Sequence, residues 1–197
     1  MSNKKRIVMT LIVITILLLS LFSILLLVNK GNELTKEEEF LRGARVFIKK
    51  NPIYESKYYE GGYPTDNRGV CTDIIWFSFR YVGVDFKSLI DEDIRNNLYA
   101  YTNIKEPNPN IDFRRVKNIK VFLDRKAISL TNSLKKREEW KPGDIVIFRD
   151  NEHIAIVSDK HNDKGYPYIL HLSTRGAREE DRITKDKITS HYRWKFK

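Results

Sequence analysis

An uncharged apolar run near the amino terminus constrains this chain more than any other feature. The run extends from Ile7 to Val28, over 22 residues. At about 1.5 Å of rise per residue, a helix of that length crosses the roughly 30 Å hydrocarbon core of a bilayer. It exceeds the apolar region of a signal peptide, about 7–15 residues, and no A-x-A-like cleavage site follows it. We therefore predict an uncleaved transmembrane anchor over residues 7–28.

The flanking charges predict how this anchor is oriented. Lys4, Lys5 and Arg6 precede the apolar run and favour a cytoplasmic amino end, although Lys30 and Lys36 behind the run weaken the asymmetry. Residues 1–6 are then a cytoplasmic tail, and the remainder is the extracytoplasmic part of a single-pass protein in the cell membrane. The composition, rich in lysine, isoleucine and asparagine, favours a Gram-positive bacterial host.

The exported part is basic. Removing the three basic residues ahead of the anchor leaves 33 Lys and Arg against 26 Asp and Glu, a net charge of +7. Such a surface fits anionic wall polymers or lipid head groups, and it equally fits a solvated surface without a specific ligand. The charges are scattered, with no basic block among aromatic residues, so we predict no nucleic-acid partner. The sequence identifies no protein partner.

The hydrophobic periodicity predicts one α+β domain behind a linker. Residues 29–50 contain the linker and an amphipathic helix over 36–49, and residues 51–197 form the domain. Further helices are predicted over 71–82, over DFKSLIDEDIRNNL and over 119–126. The segments GDIVIFR, HIAIVSD and PYILHLS alternate as strands of an antiparallel meander, and the tail DRITKDKITSHYRW adds a short helix or strand. Helices first and sheet second is typical of the α+β class.

The single cysteine, Cys71, stands at the predicted amino end of the helix that stops at Gly83. A lone cysteine in an exported protein forms an intermolecular bridge, packs inertly in the core or reacts. At a helix amino terminus the dipole and the free backbone N–H groups stabilise a thiolate, and the same N–H groups bind a developing oxyanion. A nearby imidazolium would lower the thiol pKa further. Spacing by itself leaves the inert and the nucleophilic interpretations open.

Two of the four histidines are candidate partners of this thiol. His153 begins a predicted strand and His171 lies in the next one, and neighbouring strands are about 4.8 Å apart. One imidazole could then act as base while the other orients it. His161 is predicted to be solvated and His191 to be structural. A zinc site would need three or four ligands, and neither HExxH nor paired CxxC motifs occur, so we predict no metal and no cofactor.

Several blocks in order resemble a known family: YYEGGYPTDNRGVCTD, NIDFRRVKN, WKPGDIVIFRDNEHIAIVSD, LHLSTRG and SHYRW. Together they are similar to the bacterial domain of unknown function 1287, within the NlpC-like, papain-like cell-wall cysteine peptidase superfamily. The resemblance runs from about Tyr58 to Trp194. It implies a nucleophile helix packed on an antiparallel sheet, with Cys71 as nucleophile, His153 as general base and His171 as the third polar member.

The resemblance also implies residues that bind the substrate. Tyr58 matches a tyrosine that lines the site near the oxyanion. The wider superfamily has an acidic residue just before its cysteine, whereas here a valine stands there and the acidic residue is Asp73, which leaves substrate preference open. Asp112, Arg114 and Arg115 match a family block. They either grip a carboxylated peptide or form an internal ion pair, and the sequence favours neither.

The sequence therefore predicts a membrane-anchored cysteine amidase or endopeptidase that acts on peptidoglycan stem peptides through a Cys-His-His triad. An acyltransferase or transpeptidase would use the same residues with a different acceptor. Two alternatives are not enzymes. One is a non-catalytic wall-binding module on the same fold, and the other is an interaction protein that docks on a membrane complex.

Overall fold

The structure, a computed structural model, describes residues 3–31 and 33–196, with only the backbone for residues 3 and 25–31. It divides into two compact units, Met1–Thr35 and Lys36–Lys197. The first unit contains helix α1 (Asn3–Gly31). Within it, Lys4–Ile24 has a mean hydropathy of 2.9 and is long and apolar enough to cross a membrane. The predicted apolar helix is confirmed, while its orientation and the Gram-positive origin stay predictions.

The second unit contains four α-helices: α2 (Lys36–Lys49), α3 (Asp73–Tyr81), α4 (Phe86–Asn96) and α5 (Val116–Lys126). Helix α2 has the predicted bounds and packs against α3 through a stripe of buried residues, Phe40, Leu41, Ala44 and Phe47. Gly43 lets the two helices approach closely, because a Cβ at that position would lie 2.7 Å from the Cβ of Tyr81. The amphipathic pattern of α2 therefore makes it part of the second unit.

Eight strands complete the second unit. A short parallel pair consists of β1 (Ile53–Tyr54) and β2 (Arg68–Gly69). The others are β3 (Ile128–Ser129), β4 (Ile145–Phe148), β5 (His153–His161), β6 (Pro167–Ser173), β7 (Gly176–Glu180) and β8 (Ile188–Arg193). These six form one antiparallel sheet in the order β3-β8-β4-β5-β6-β7. The predicted meander is its β4-β5-β6 centre, the tail is a strand, and β3 and β7 are additions to the prediction.

Both faces of the sheet are apolar. Side chains such as Ile154 and Leu170 belong to the core that the helices and Cys71 share. Side chains such as Val157 and Ile169 form a second cluster with Trp140 on the other face. Burial on both faces explains why β4 reads as the continuous apolar run IVIF rather than as an alternation. The α+β class with an antiparallel sheet is confirmed.

A partly buried arginine joins α2 to the sheet. Arg45 donates to the carboxylates of Asp159 on β5 and Glu179 on β7, the latter at 2.7 Å. Ser158 donates to the same Glu179 at 2.6 Å. Because these contacts join a helix near the amino end to strands more than 100 residues later, they fix the position of the helical layer over the sheet.

The turn between β4 and β5 has an unusual backbone. Three consecutive residues that are not glycine have positive φ: Arg149 at 51°, Asp150 at 53° and Asn151 at 75°. Residues with a Cβ adopt this left-handed region at an energetic cost, which is smallest for Asn and Asp. The turn leads directly into His153, the first residue of β5.

Candidate active site

Cys71 lies in the turn just before α3 and is 5% exposed. The helix begins two residues later than predicted, at Asp73, whose N–H donates to the carbonyl of Val70 at 2.9 Å. The backbone amides of Ile154, Thr72 and Cys71 itself lie near the sulfur. Since Ile154 directly follows His153, the sulfur lies beside the segment of β5 that carries the imidazole.

The two predicted histidines are joined by a hydrogen bond. His153 Nε2 is 2.7 Å from His171 Nδ1, and both rings are buried. The other nitrogen of His171, Nε2, is 2.9 Å from Oε1 of Glu180 on the edge strand β7. The structure therefore extends the predicted pair into a hydrogen-bonded series, His153, His171 and Glu180.

This series fixes the tautomer of each imidazole. An ionised carboxylate only accepts, so His171 donates its Nε2–H to Glu180 and its Nδ1 is left as an acceptor. His153 must then donate its Nε2–H to His171, and the Nδ1 of His153 carries a lone pair. A histidine in this state can accept a proton through Nδ1, as a general base requires.

Burial keeps both the thiol and the base neutral. Burial raises the pKa of the Cys71 thiol to about 11, although the nearby backbone amide of Ile154 acts in the opposite direction and lowers it. Burial also lowers the pKa of His153 to about 3, with His171 and Arg149 acting in the same direction. The sequence predicted a lowered thiol pKa from a helix dipole and an imidazolium. In the structure the cysteine precedes the helix and the histidine is neutral, so desolvation dominates.

Asp73 and Arg114 form a buried ion pair with each other. The Nε and Nη2 atoms of Arg114 lie 2.7 and 2.8 Å from the two oxygens of Asp73, and both side chains are 1% exposed. Asp73 also accepts from the N–H of Val70 at 2.8 Å and from Trp76 Nε1 at 2.7 Å. For Arg114 the structure shows the internal ion pair, one of the two alternatives that the sequence left open. Both residues use their charge internally and hold the loop before Cys71, and a contact of either with substrate stays a prediction.

Tyr58, which the resemblance places near the oxyanion, has an exposed side chain. It is 52% exposed, and its hydroxyl accepts from Asn110 Nδ2 at 2.8 Å. Tyr54 on β1 instead lines the cavity beside the two histidines. Its pKa is raised by burial and further by Cys71, while Arg149 lowers it. Tyr54 is thus a tyrosine near the thiol that the sequence did not single out, and the role of Tyr58 stays a prediction.

Asp112 and Arg115 line a broad cleft of about 780 Å³ on the connection between α4 and α5. Asp112 is buried and accepts from the N–H of Asn108 at 2.6 Å, which leaves Arg115 as the exposed cation of the predicted block. Two links join this cleft to the candidate site. The carbonyl of Arg114, next to Arg115, accepts from Thr72 Oγ1 at 2.9 Å, and Glu152 on the opposite wall precedes His153.

A smaller cavity of about 130 Å³ lies against the histidine pair, and we call it the cationic cavity. It is rich in guanidinium groups, and its walls are Tyr54, Arg149, His153, His171, Ser173, Thr174, Arg175 and Arg182.

The other two histidines lie outside the candidate site. His191 stacks on Trp140 with ring centroids 3.8 Å apart, and its Nε2 is 2.9 Å from Asp144 Oδ2, which fits the predicted structural role. His161 is exposed at the end of β5. Among residues 3–31 and 33–196, no group of three or more His, Cys, Asp or Glu side chains is placed to hold a metal ion.

Glu180 and Tyr54 were missed by the sequence reasoning. Glu180 lies in GAREE, which lacks apolar alternation, and only the tight turn after LHLS indicates a hairpin there. In the register of that hairpin, Glu180 pairs with Ile169, so it is a diagonal neighbour of His171 on the same face. Tyr54 belongs to a two-residue strand, which no periodicity can reveal.

Comparison with known proteins places these residues in a family. The profile of a family described as "Domain of unknown function (DUF1287)" matches residues 41–194. The chain is 35% identical over 150 residues to "Uncharacterized protein YijF" of Escherichia coli (strain K12), covering 73% of each chain. No solved structure matches.

Proposed function

This chain belongs to the DUF1287 family, and we propose that it is a cysteine-dependent amide hydrolase of the NlpC-like, papain-like type. The observation that carries the proposal is the series His153, His171 and Glu180, which leaves a lone pair on His153 Nδ1, one residue before the Ile154 amide that lies near the Cys71 sulfur. The hydrogen bonds that orient His153 and the backbone amides near the sulfur support a nucleophile and base pair.

Catalysis starts from the neutral pair. As the sulfur of Cys71 bonds to the amide carbonyl carbon, its proton passes to His153 Nδ1 and the carbonyl electrons move to oxygen. The amides of Cys71 and Thr72 are the candidate donors to this oxyanion. The C–N bond then breaks, the protonated His153 gives its proton to the leaving amine, and water releases the acyl group from sulfur with His153 again as base.

His171 and Glu180 are positioning residues in this scheme. The hydrogen bond from His153 to His171 holds the ring orientation, and the imidazolium formed during the reaction is stabilised through His171 by the carboxylate of Glu180. No step requires a cofactor or a metal.

We propose peptidoglycan stem peptides as the substrate and the outer side of the membrane as the location. The apolar helix α1 supports a membrane anchor, and the basic exported part supports contact with anionic wall polymers. The intact mass of the protein extracted from membranes tests the anchor, since a cleaved leader would leave a chain that lacks residues 7–28.

The decisive experiment is digestion of purified muropeptides by the full chain in detergent micelles, followed by mass spectrometry. Cys71→Ala and His153→Ala are expected to abolish cleavage. His161→Ala is the matched control, because His161 lies at the opposite, exposed end of the same strand, and it is expected to retain full activity. Turnover by Cys71→Ala would refute the proposed nucleophile.

The acceptor is identified in the same assay. In ¹⁸O-labelled water, a hydrolase places one ¹⁸O atom in the new carboxyl group. An acyltransferase or transpeptidase instead forms an adduct with an added amine and leaves the label in water. Absence of both products from wild-type protein that binds muropeptides would favour a wall-binding module.

A further inference from the structure

The walls of the cationic cavity contain three arginines and no carboxylate, and the carboxylates nearby contact these arginines only at long distance or while shared with another group. Arg149 has two ion-pair contacts, to Glu152 and to Asp186, and both are 3.9 Å long, beyond hydrogen-bond distance. Arg182 contacts the same Asp186 at 3.0 Å. Asp186 is thus shared by two guanidinium groups.

The third arginine shares its carboxylate as well. Arg175 Nη2 lies 3.3 Å from Glu180 Oε1, the same oxygen that accepts from His171. Glu180 is therefore committed to the histidine series and offers Arg175 only a long contact. Three guanidinium groups line one small cavity, and their contacts to Asp186, Glu180 and Glu152 are shared or long, which makes a site that attracts an anion.

The size of the cavity restricts that anion. A volume of about 130 Å³ corresponds to about four water molecules at about 30 Å³ each. A carboxylate with the carbon that bears it fits this space. Guanidinium groups also match the planar geometry of a carboxylate.

The place of the cavity in the reaction identifies which part of the substrate enters it. His153 and His171 line the cavity and Cys71 does not. Because His153 protonates the leaving amine, this side of the site belongs to the leaving group. In an α-amino acid, a single carbon separates the amine from the carboxylate, so a leaving amino acid can place its carboxylate in the cavity.

We infer that the cationic cavity binds a free carboxylate carried by the leaving amine, so that the preferred bond is an amide whose amine side is an amino acid with an ionised carboxyl group next to the scissile nitrogen. The inference rests on the proposed function. A carboxylate in the cavity would also offset Arg149 and Arg182, which help to keep the pKa of His153 low, and the substrate would thereby strengthen its own base.

The test measures binding in the full chain with Cys71→Ala, in detergent micelles, by ligand-observed NMR. The probes are N-acetyl-alanyl-alanine as the free acid, its C-terminal carboxamide, and methyl phosphate. The acid is expected to bind about tenfold or more tightly than the carboxamide, as removal of a charged hydrogen-bond partner predicts. Arg149→Gln is expected to remove most of that difference, and Arg149→Lys to retain part of it.

Lys187→Gln is the matched control. It removes the same unit of charge from an exposed side chain outside the cavity lining, and it is expected to keep the full preference for the acid. Equal binding of acid and carboxamide, an equal loss in Arg149→Gln and Lys187→Gln, or tighter binding of methyl phosphate than of the acid would each overturn the inference.

These outcomes are separable from a failure of the proposed function. If muropeptides are cleaved through Cys71 but acid and carboxamide bind equally, the hydrolase stands and the carboxylate site falls. If the acid is preferred in an Arg149-dependent way but Cys71→Ala does not alter turnover, the carboxylate site stands and the thiol mechanism falls.

Discussion

Replacing Asp73 by asparagine is expected to destabilise the protein by about 3–5 kcal/mol, the cost of breaking a buried ion pair at one end. The substitution leaves the guanidinium of Arg114 without its counter-charge at a site where both side chains are 1% exposed. For a protein of about 150–250 residues, each kcal/mol lowers Tm by about 2–4 °C. A fall in Tm of about 6–20 °C is therefore expected in thermal unfolding of the full chain in micelles, followed by near-UV circular dichroism.

A matched substitution separates this effect from the chemistry of the change. Asp150→Asn makes the same replacement in the pair with Lys187, whose side chains are 77% and 75% exposed, and is expected to leave Tm unchanged because exposed pairs contribute little. The double variant Asp73→Asn, Arg114→Met removes both buried charges. Its loss of stability should be smaller than the sum of the single losses by about 0.5–3 kcal/mol.

Two results would refute this reasoning. If Asp73→Asn lowered Tm no more than Asp150→Asn, the buried pair would not be fixing the loop before the thiol. If the single losses simply added in the double variant, Asp73 and Arg114 would not be acting as a pair.

Three further predictions concern the site and the helical layer. Glu180→Gln is expected to lower kcat about tenfold or more with little change in KM, because the imidazolium formed at His153 loses the carboxylate that stabilises it through His171. An unchanged kcat in muropeptide digestion would show that Glu180 has no part in the reaction. Gly43→Ala is expected to cost about 1–3 kcal/mol, since its Cβ would meet Tyr81 at 2.7 Å, and urea unfolding at least as stable as wild type would contradict the close helix contact. Burial lowers the pKa of His153 from 6.5 to about 3, so between these two pH values the unfolded chain binds a proton that the folded protein does not. The free energy of unfolding therefore falls as the pH falls from 6.5 to about 3, by up to about 1.4 kcal/mol per pH unit. His153→Gln should reduce this dependence of stability on pH, and an unchanged dependence would exclude His153 as its source.

The elements with strong periodicity could be predicted from the sequence. Helix α2 has the predicted bounds, and strands β4, β5 and β6 lie where their apolar patterns indicated. The relation between His153 and His171 followed from the same patterns, because adjacent antiparallel strands bring residues of neighbouring segments together. Local patterns were sufficient wherever burial of one face or both faces decided the structure.

The remainder depends on long-range contacts that no local pattern contains. Arg114 pairs with Asp73 across 41 residues, and the sequence shows only two charged residues in separate segments. Glu180 reaches His171 only because β7 forms a hairpin with β6. The neutral state of the thiol and imidazole likewise results from burial, which is a property of the assembled core rather than of the helix end.

In the left-handed turn before His153, the residue at position 149 affects both the stability of the fold and the charge of the cationic cavity. Glycine at position 149 would relieve a backbone conformation that is costly for a residue with a Cβ, by about 1–2 kcal/mol, at φ 51°. The same change would remove the guanidinium that faces the histidine pair. A screen for thermostability would therefore favour glycine at this position. If the proposed hydrolase and carboxylate site hold, a screen for turnover of carboxylate-bearing amides would favour arginine, and the two screens would lead to different proteins.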